Sequence, residues 1–541
     1  MEGFMDAALS QSKPSAADLA RPTMPLQTFS NPVIRGFNPD PSVCRVGENF
    51  YLVTSSFEFF PGVPVYHSRD LIHWKLLGHC LTRPSQLPLA GAADSGGIYA
   101  PTIRHHAGRY YMTTTNTSHG GNFIVWASDP AGPWSEPLWI EQKGIDPSLW
   151  FDDDGKVYFT SNGSHWAAER GIYQCEIDID TGRRLSETRL IWRGTGGSYP
   201  EAPHLFRHGE FYYLVIAEGG TEACHMVTIA RSRSAYGPFE SCPRNPILSN
   251  RSLESPIQNT GHADLFADQN GRWWAVFLAV RPHDGVHHLG RETCLAAVQW
   301  DSDGWPVING GARITLRGVG HLPAGEPGMD NEPVHRIMEG FGGNQLSADW
   351  VYLRNPTPHH YSLQSDVLTL RPTVNHVDMT GSPTAIFRRQ TDFEMNMSVV
   401  VDFAPVQPGQ EAGLVIYRST RHYAQMAVTS SGQGRQVLLR RRIGSMVQET
   451  CVDIPGGPVI LDVAADRRGY NFSWGIDGRG TGGSPLRFMG HHESRYLSSE
   501  VAGGYIGVMP GLYAAGAQGD EEREPPSAVL SHFRYRCANG N

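Results

Sequence analysis

The sequence predicts an all-β protein in which a five-bladed β-propeller is followed by a jelly-roll-like β-sandwich domain. The first reason is composition: the 541 residues include 60 Gly and 38 Pro, and 10% of the residues are aromatic. Chains so rich in turn residues favour many short strands over long helices. The second reason is a motif that occurs five times before about residue 315, and the third is a change of character beyond that point.

Five segments share one pattern, in which a small or polar lead residue precedes an apolar strand, a Gly-centred turn and a second strand that opens with aromatic residues. The segments are PDPSVCRVGENFYLVTSS, YAPTIRHHAGRYYMTTT, IDPSLWFDDDGKVYFTS, PEAPHLFRHGEFYYLVIA and GHADLFADQNGRWWAVFL. The lead residues are Asp40, Ala100, Asp146, Glu201 and His262, at intervals of 60, 46, 55 and 61 residues. This period suits a four-stranded blade, and five blades that close radially make a propeller. The alternative is a repetitive antiparallel sandwich, but radial closure protects strand edges that an open sheet exposes.

The pattern divides the chain into four parts. Residues 1–28 are predicted to be a flexible tail, and residues 29–318 to be the propeller. Residues 319–338 include the Pro- and Gly-rich stretch PAGEPGMDNEP and are predicted to be a linker. Residues 339–541 contain alternating strands such as MSVVVDF and AGLVIYR without a helical period, which favours a β-sandwich.

Charge and targeting features bear on partners and location. A net charge of −9 argues against nucleic acid and anionic membranes as partners, because both call for clustered Lys and Arg. No stretch has the length and apolar character of a bilayer span, and residues 1–30 lack the continuous apolar segment of a secretory signal. The sequence therefore predicts a cytoplasmic protein, and it leaves a homo-oligomer open. The eight cysteines contain no CxxC pair, so neither a zinc site nor a disulfide framework is predicted.

Three of the five lead residues are acids, and the propeller gives them a common location. The first strand of each blade lines the central channel, so Asp40, Asp146 and Glu201 are predicted to face one another. A single Asp before Pro more often forms a turn. Three carboxylates around one channel repel each other and raise the pKa of at least one of them, which is costly unless the arrangement is used. Glycoside hydrolysis uses two opposed carboxylates, and acids on different blades favour the wider separation that admits a water and inverts the anomeric configuration.

The first 315 residues or so resemble glycoside hydrolase family 43, and within it the group of β-xylosidases and α-L-arabinofuranosidases. The motifs are NPVIRGFNPDPSVCRVGENFYLVTSSFEFFPGVPVYHSRDLIHW, SGGIYAPTIR, GIDPSLWFDDDGKVYFTSNG, YPEAPHLF, AEGGT, TGHADLF and HHLGRET. The sandwich also resembles the C-terminal domain that many of these enzymes carry. The resemblance implies that Asp40 is the general base, that Glu201 is the general acid, and that Asp146 raises the pKa of Glu201 and orients it.

The resemblance also implies a set of residues that bind the substrate. Arg291 would contact the sugar, because a guanidinium binds vicinal hydroxyls through its fork of donors. His262 would lie near the channel axis, where a purely structural histidine is an equal alternative. Phe57, Tyr99 and Thr221 match positions in the pocket wall. Tyr99 stands where the family often has Trp, which leaves the preference between xylose and arabinofuranose open.

The implied activity is exo-acting, inverting release of β-D-xylose from the non-reducing ends of xylo-oligosaccharides. An α-L-arabinofuranosidase or a bifunctional enzyme acting on arabinoxylan or arabinan is the alternative within the family. A non-catalytic carbohydrate-binding propeller would tolerate loss of one acid, and a retaining fructosidase would carry an NDPNG-like motif in place of NPDPS. Acid–base hydrolysis requires no cofactor and no catalytic metal. A structural calcium ion, held by loop oxygens in the channel or the sandwich, is the one cation left open.

Overall fold

The computed structural model describes residues 25–163, 167–325, 336–478, 484–520 and 525–537. The predicted flexible tail lies outside the described residues up to residue 24, and so does the middle of the predicted linker, residues 326–335. Within the described ranges the only α-helix is the single turn Ser499–Ala502, and three short 3₁₀ segments occur at Asn309–Gly311, Pro358–His360 and Ser494–Leu497. None of these helices has the length and apolar character needed to cross a membrane. The prediction of an all-β protein is confirmed.

Five four-stranded antiparallel sheets form the blades, and each uses consecutive parts of the chain. Their strands are Ser42–Val46, Asn49–Val53, Gly62–Ser68 and Lys75–Leu81 in blade 1; Thr102–His106, Arg109–Asn116, Gly121–Ala127 and Leu138–Trp139 in blade 2; Ser148–Phe151, Val157–Asn162, Ile172–Glu176 and Arg189–Trp192 in blade 3; Glu201–His208, Phe211–Glu218, Met226–Ser232 and Glu240–Ser241 in blade 4; and Gln258–Ala267, Trp273–Val280, Glu292–Trp300 and Pro306–Ile308 in blade 5. The first strand of each blade contacts the first strands of both neighbours, and these contacts run in a closed circle. The predicted five-bladed propeller is therefore confirmed.

The ring closes where the N-terminal segment binds blade 5 before the chain enters blade 1. Ile34 forms a β-bridge with Thr293, and the Asn31 side chain both accepts from Leu295 N and donates to Leu295 O. Next to this contact, Gln27–Ser30 pairs with Arg317–Gly320. That pair includes residues 27 and 28 of the predicted tail and residues 319 and 320 of the predicted linker. These four residues belong instead to the propeller, because their backbone groups pair across the closure.

Apolar side chains fill the space between neighbouring blades. The second strand of blade 5, WWAVFLAV, is continuously apolar rather than alternating, because both of its faces are covered. Phe277 packs in the cluster shared with blade 4, whereas Trp274 packs in the cluster shared with blade 1. A strand that is covered on both faces needs apolar residues on both faces. The inner strands are thereby held rigidly around the channel.

The sandwich consists of two eight-stranded antiparallel sheets. One sheet contains Arg336–Glu339, Tyr361–Gln364, Val367–Leu370, Met395–Asp402, Val459–Ala465, Gly469–Ile476, Arg487–Glu493 and Ala528–Cys537. The other contains Phe59–Phe60, Val351–Leu353, Thr384–Phe387, Glu411–Ser419, His422–Ser430, Arg435–Ile443, Met446–Ile454 and Met509–Ala515. Fully buried residues such as Leu414, Met426 and Leu461 pack between the sheets.

The two domains share a sheet and an apolar cluster. Phe59–Phe60 comes from a loop of blade 1, yet it pairs with Val351–Leu353 as the edge strand of the second sandwich sheet. Around this strand, Phe37 and Phe57 of the propeller pack in one cluster with residues of the sandwich such as Tyr417. Because backbone pairing and side-chain packing both cross the boundary, the sandwich has a defined position against the propeller.

Substitution Phe59→Ala tests this shared interface. The ring of Phe59 is fully buried, so its loss should lower the free energy of unfolding by about 3–5 kcal/mol. Denaturant unfolding followed by tryptophan fluorescence measures the effect. Phe488→Ala is the matched control, because Phe488 is 65% exposed in the sandwich and its loss should leave the midpoint nearly unchanged. Equal midpoint shifts for the two variants would contradict the assignment.

Candidate active site

The eight residues predicted from the sequence lie at a single face of the propeller. Strands alternate in direction within a blade, so the start of the first strand, the end of the second and the start of the third lie at the same face. Asp40, Tyr99, Asp146, Glu201 and His262 lie at or just before first strands. Arg291 directly precedes the third strand of blade 5, and Thr221 lies between the second and third strands of blade 4. Phe57 lies in the corresponding loop of blade 1.

Glu201 is one residue away from the repeat position that the sequence pattern predicts for it. Asp40, Asp146 and His262 adopt a left-handed backbone conformation, with φ of 56°, 55° and 49°. In blade 4 the residue with this conformation is Ala202, with φ of 54°, so Ala202 is the equivalent of the other lead residues. The Pro after the lead residue identifies the same register, because Pro203 follows Ala202. The prediction that Glu201 is itself a lead residue is therefore wrong, although its side chain still joins the other two acids.

Asp40 is held in its ionised form. It is buried, with 4% exposure, and its carboxylate accepts hydrogen bonds from Ser55 Oγ at 2.5 Å and from Arg291 Nη1 at 3.0 Å. His262 Nδ1 lies 3.3 Å from Oδ1 of the same carboxylate. Burial alone would raise the pKa of Asp40, but Arg291, His262 and the Ser55 hydrogen bond outweigh burial and lower that pKa below its ordinary value. The result is a carboxylate that can accept a proton from water.

His262 is a neutral neighbour of this carboxylate. Burial lowers the pKa of His262 to about 4, despite the opposing effect of Asp40. A neutral imidazole can carry its proton on Nδ1 and direct it at the carboxylate. Burial also lowers the pKa of His225 to about 3, and its Nδ1 lies 3.0 Å from Asn259 O. This contact places His262 beside Asp40, and its binding of the substrate stays a prediction.

Asp146 and Glu201 are shifted in the opposite direction. Burial, followed by the charge of Asp40, raises the pKa of Asp146 to about 7. Burial, followed by the charges of Asp146 and Asp40, raises the pKa of Glu201 well above its ordinary value. The backbone N–H of Ala202 donates to Asp146 Oδ2 at 3.1 Å, so the left-handed turn after Glu201 links the two acids. The surroundings thus favour the ionised form of Asp40 and the protonated form of Glu201.

Arg291 connects the ionised acid with the pocket wall. Its Nη1 donates to Thr221 Oγ1 at 3.0 Å as well as to Asp40. The guanidinium lies 5.7 Å from the ring centroid of Phe57, within the range of a cation–π contact. Its Nε is buried and has no protein acceptor in the described part of the chain.

Three aromatic rings form one wall of the pocket, and one of them comes from the sandwich. The ring centroids of Phe57 and Tyr99 are 5.2 Å apart, and Tyr505 lies 5.9 Å from Phe57 and 6.0 Å from Tyr99. Tyr505 keeps 38% of its surface exposed. Aromatic faces of this kind pack against the apolar face of a sugar ring. The sequence pattern missed Tyr505 because it belongs to no propeller repeat; its only local signal is the preceding Gly-Gly pair.

A second polar cluster, also missed, lies deeper between the first strands. Arg104 Nη1 donates to Asp264 Oδ2 at 2.8 Å, and its Nη2 lies 3.1 Å from Nδ1 of His204. Ser42 Oγ donates to the same oxygen of Asp264 at 2.7 Å. These four residues come from blades 1, 2, 4 and 5, so the cluster joins the inner strands across the channel.

This cluster bears on the calcium ion that the sequence leaves open. Calcium needs several oxygen ligands. Across the ranges that the structure covers, no three His, Cys, Asp or Glu side chains group as a metal site. Asp264, the buried acid of the deeper cluster, is instead balanced by the guanidinium of Arg104. The carboxylate of Asp264 is therefore already neutralised, and a structural calcium ion stays a prediction.

Comparisons with known proteins agree with this architecture. Residues 29–306 match the family model described as glycosyl hydrolases family 43, and residues 339–536 match that of the β-xylosidase C-terminal concanavalin A-like domain. The chain is 40% identical to the non-reducing end α-L-arabinofuranosidase BoGH43B of Bacteroides ovatus, over 96% of this chain and 97% of the relative. It is 38% identical to a xylosidase/arabinosidase of Butyrivibrio fibrisolvens, over 90% and 95% of the two chains.

Solved structures show the same likeness over nearly the whole chain. A structure described as Bacteroides ovatus xyloglucan PUL GH43B superposes with a TM-score of 0.87 at 40% identity, covering 94% of this chain and 100% of the other. A xylan β-1,4-xylosidase from Bacillus halodurans gives a TM-score of 0.85 at 30% identity, with the same coverage. The chain therefore belongs to glycoside hydrolase family 43, and its sandwich is the concanavalin A-like C-terminal domain that accompanies β-xylosidases of that family.

Proposed function

We propose that the protein is an exo-acting, inverting glycoside hydrolase that removes terminal β-D-xylosyl groups from xylo-oligosaccharides. The observation that carries the proposal is that the surroundings of Asp40 and Glu201 shift their pKa values in opposite directions at one site. A pair of carboxyl groups, one ionised and one protonated, is what the inverting reaction requires. Arg291 and the aromatic wall supply the contacts with the sugar.

The reaction follows from the two protonation states. The Asp40 carboxylate accepts a proton from a water molecule, and the oxygen of that water attacks the anomeric carbon. The Glu201 carboxyl gives its proton to the glycosidic oxygen as the bond to the leaving group breaks. The negative charge of Asp146 raises the pKa of Glu201, so Glu201 keeps its proton until that step. Both acids return to their starting states when one proton moves from Asp40 to Glu201 through solvent.

The shape of the site supports cleavage at a chain end. Phe57, Tyr99 and Tyr505 form a continuous wall beside Arg291, which favours a pocket for one terminal sugar over an open cleft.

α-L-Arabinofuranosidase activity is the second candidate, because two relatives carry it in their names. The Bacteroides ovatus relative is named as an arabinofuranosidase, and the Butyrivibrio fibrisolvens relative is named for both activities. The two pentosyl groups present similar hydroxyl arrangements to Arg291. Parallel assays on nitrophenyl β-D-xylopyranoside, nitrophenyl α-L-arabinofuranoside, xylobiose, arabinoxylan oligosaccharides and arabinan, with products identified, decide between them. Sugar binding without turnover of any of these substrates would favour the non-catalytic propeller.

Substitutions of the two acids should separate their roles. Asp40→Ala should lower kcat by about 10²–10⁴-fold on every substrate, because attack by water is needed in each case. Glu201→Gln should lower kcat by a similar factor on xylobiose but much less on a nitrophenyl glycoside, whose leaving group needs little protonation. Steady-state kinetics on both substrates measure this contrast. An equal loss on both substrates for Glu201→Gln would contradict its role as general acid.

Asp146→Asn should change the pH profile in a defined direction. Glu201 must be protonated, so activity is lost as pH rises through its pKa, and the charge of Asp146 raises that pKa. Removing this charge should move the basic limb of kcat/KM to lower pH. Asp153→Asn is the control, because the Asp153 side chain lies in an exposed turn with an ion pair to Arg207. A basic limb that stays in place, or moves upward, would rule out the pKa-setting role.

The stereochemical outcome is a further test. Proton NMR of the first sugar released from nitrophenyl β-D-xylopyranoside should show the α-anomer before mutarotation, because water attacks the face opposite the leaving group. The β-anomer as first product would assign Asp40 to nucleophilic attack. A mutarotated xylose sample under the same buffer provides the reference spectrum.

A further inference from the structure

We propose that Arg418 of the sandwich is a positioning residue for the sugar pocket. It holds the loop at residues 503–505, and this loop presents the Tyr505 ring to the propeller. Arg418 thereby sets the affinity of the pocket for the terminal sugar without touching that sugar. The expected effect on KM rests on the proposed function. The expected effect on hydrogen–deuterium exchange of the loop rests on the loop geometry alone.

Arg418 is tied to the backbone of the loop. It lies in the strand Glu411–Ser419 and is only 1% exposed. Its Nη2 donates to the carbonyl oxygen of Gly503, to that of Gly504 at 3.1 Å and to Ser499 Oγ at 3.1 Å. The three acceptors share the two hydrogens of this one guanidinium nitrogen. Arg418 therefore ties the loop backbone and Ser499 together at a single point.

The opposite side of the loop is bound to the propeller. The backbone N–H of Tyr505 donates to Ser95 Oγ at 2.8 Å. Gly504 has φ of +71°, and a Cβ added there would lie 2.6 Å from Ser95 Oγ and 3.3 Å from Arg418 Nη1. Gly504 thus passes between the serine of one domain and the arginine of the other. The loop is clamped at the domain boundary.

The clamp has a direct consequence for the pocket. Tyr505 carries the only ring that the sandwich contributes to the aromatic wall among the described residues, and Arg291 lies 5.6 Å from its centroid. Its exposure of 38% leaves a face open to a ligand. An aromatic ring on a loop contributes to affinity only when it is ordered before the ligand arrives. Arg418 and Ser95 provide that order from the two domains.

Buried charges around Arg418 are consistent with a structural anchor. Glu58 and Asp94 lie near it on the propeller side; Asp94 accepts from Thr420 Oγ1 at 2.6 Å, and Glu58 Oε1 accepts from Ser95 N at 3.1 Å. Burial, opposed by Glu58, lowers the pKa of Arg418 to about 10, so the guanidinium stays charged at neutral pH. A charged group in this environment needs its acceptors, and the loop carbonyls supply them.

A double-mutant cycle tests the proposal. Arg418→Met and Tyr505→Ala should each raise KM for the nitrophenyl glycoside that the wild type prefers by about tenfold, with a smaller change in kcat. The double variant should resemble Tyr505→Ala, since Arg418 acts through that ring. Arg442→Met is the matched control: Arg442 lies in the same sheet and pairs with Asp378, away from the loop. Multiplied effects in the double variant, or a fall in kcat at constant KM, would overturn the proposal.

Hydrogen–deuterium exchange gives a readout that does not require turnover. Arg418→Met should speed exchange at residues 503–505, and Arg442→Met should not. Ser95→Ala removes the hydrogen bond from the propeller side with a small change in volume, and it should also speed exchange at Tyr505. This variant replaces Arg418→Met in the test if Arg418→Met does not fold. Unchanged exchange in these variants refutes the clamp whatever the activity. Absence of turnover by the wild type would instead refute the proposed function and leave the exchange result to judge the clamp.

Discussion

The ion pair between Arg291 and Asp40 is the interaction on which the rest of the site depends. Without a cation beside it, the pKa of Asp40 would be raised by burial, as the pKa values of Asp146 and Glu201 are. With Arg291 at 3.0 Å, Asp40 stays ionised, and its charge then adds to burial in raising the pKa of Asp146 and that of Glu201. The guanidinium therefore acts on all three acids. Crowding three carboxyl groups is unfavourable, but it separates their pKa values, and hydrolysis needs one ionised and one protonated carboxyl group.

The closed ring makes this electrostatic arrangement rigid. Asp40 and Arg291 are 251 residues apart in sequence, and they meet because the N-terminal segment is hydrogen-bonded to blade 5 before it enters blade 1. The deeper cluster around Arg104 joins the same inner strands from below the acids. Buried charges that cannot move apart keep their mutual influence, whereas a flexible channel would let water screen them. Closure of the propeller is thus part of the catalytic chemistry.

Much of the fold was predictable because each blade repeats one local pattern, and each apolar strand is covered on both faces. The convergence of Asp40, Asp146 and Arg291 followed from the same repetition and from the family resemblance. The register of Glu201 was missed because an acid near a Pro looks alike at either of two adjacent positions; only the left-handed turn at Ala202 distinguishes them. Tyr505 could not be predicted, since its place in the pocket depends on how two domains with unrelated patterns pack. The ion pair between Arg104 and Asp264 was not predicted, because two residues on distant strands leave no characteristic spacing in the sequence.

The three acids all belong to the propeller, whereas the aromatic wall combines rings of both domains. Arg291 contacts both groups: it forms a buried ion pair with Asp40 on one side and a ring contact with Tyr505 on the other. The buried ion pair is the stronger of the two contacts, and the cation–π contact is weaker and tolerates small displacements. A shift of the sandwich loop therefore alters the wall that the sugar meets before it disturbs the base. Under the proposed function, a change in the sandwich loop would alter the preference among pentosyl groups and leave the surroundings of the three acids in place.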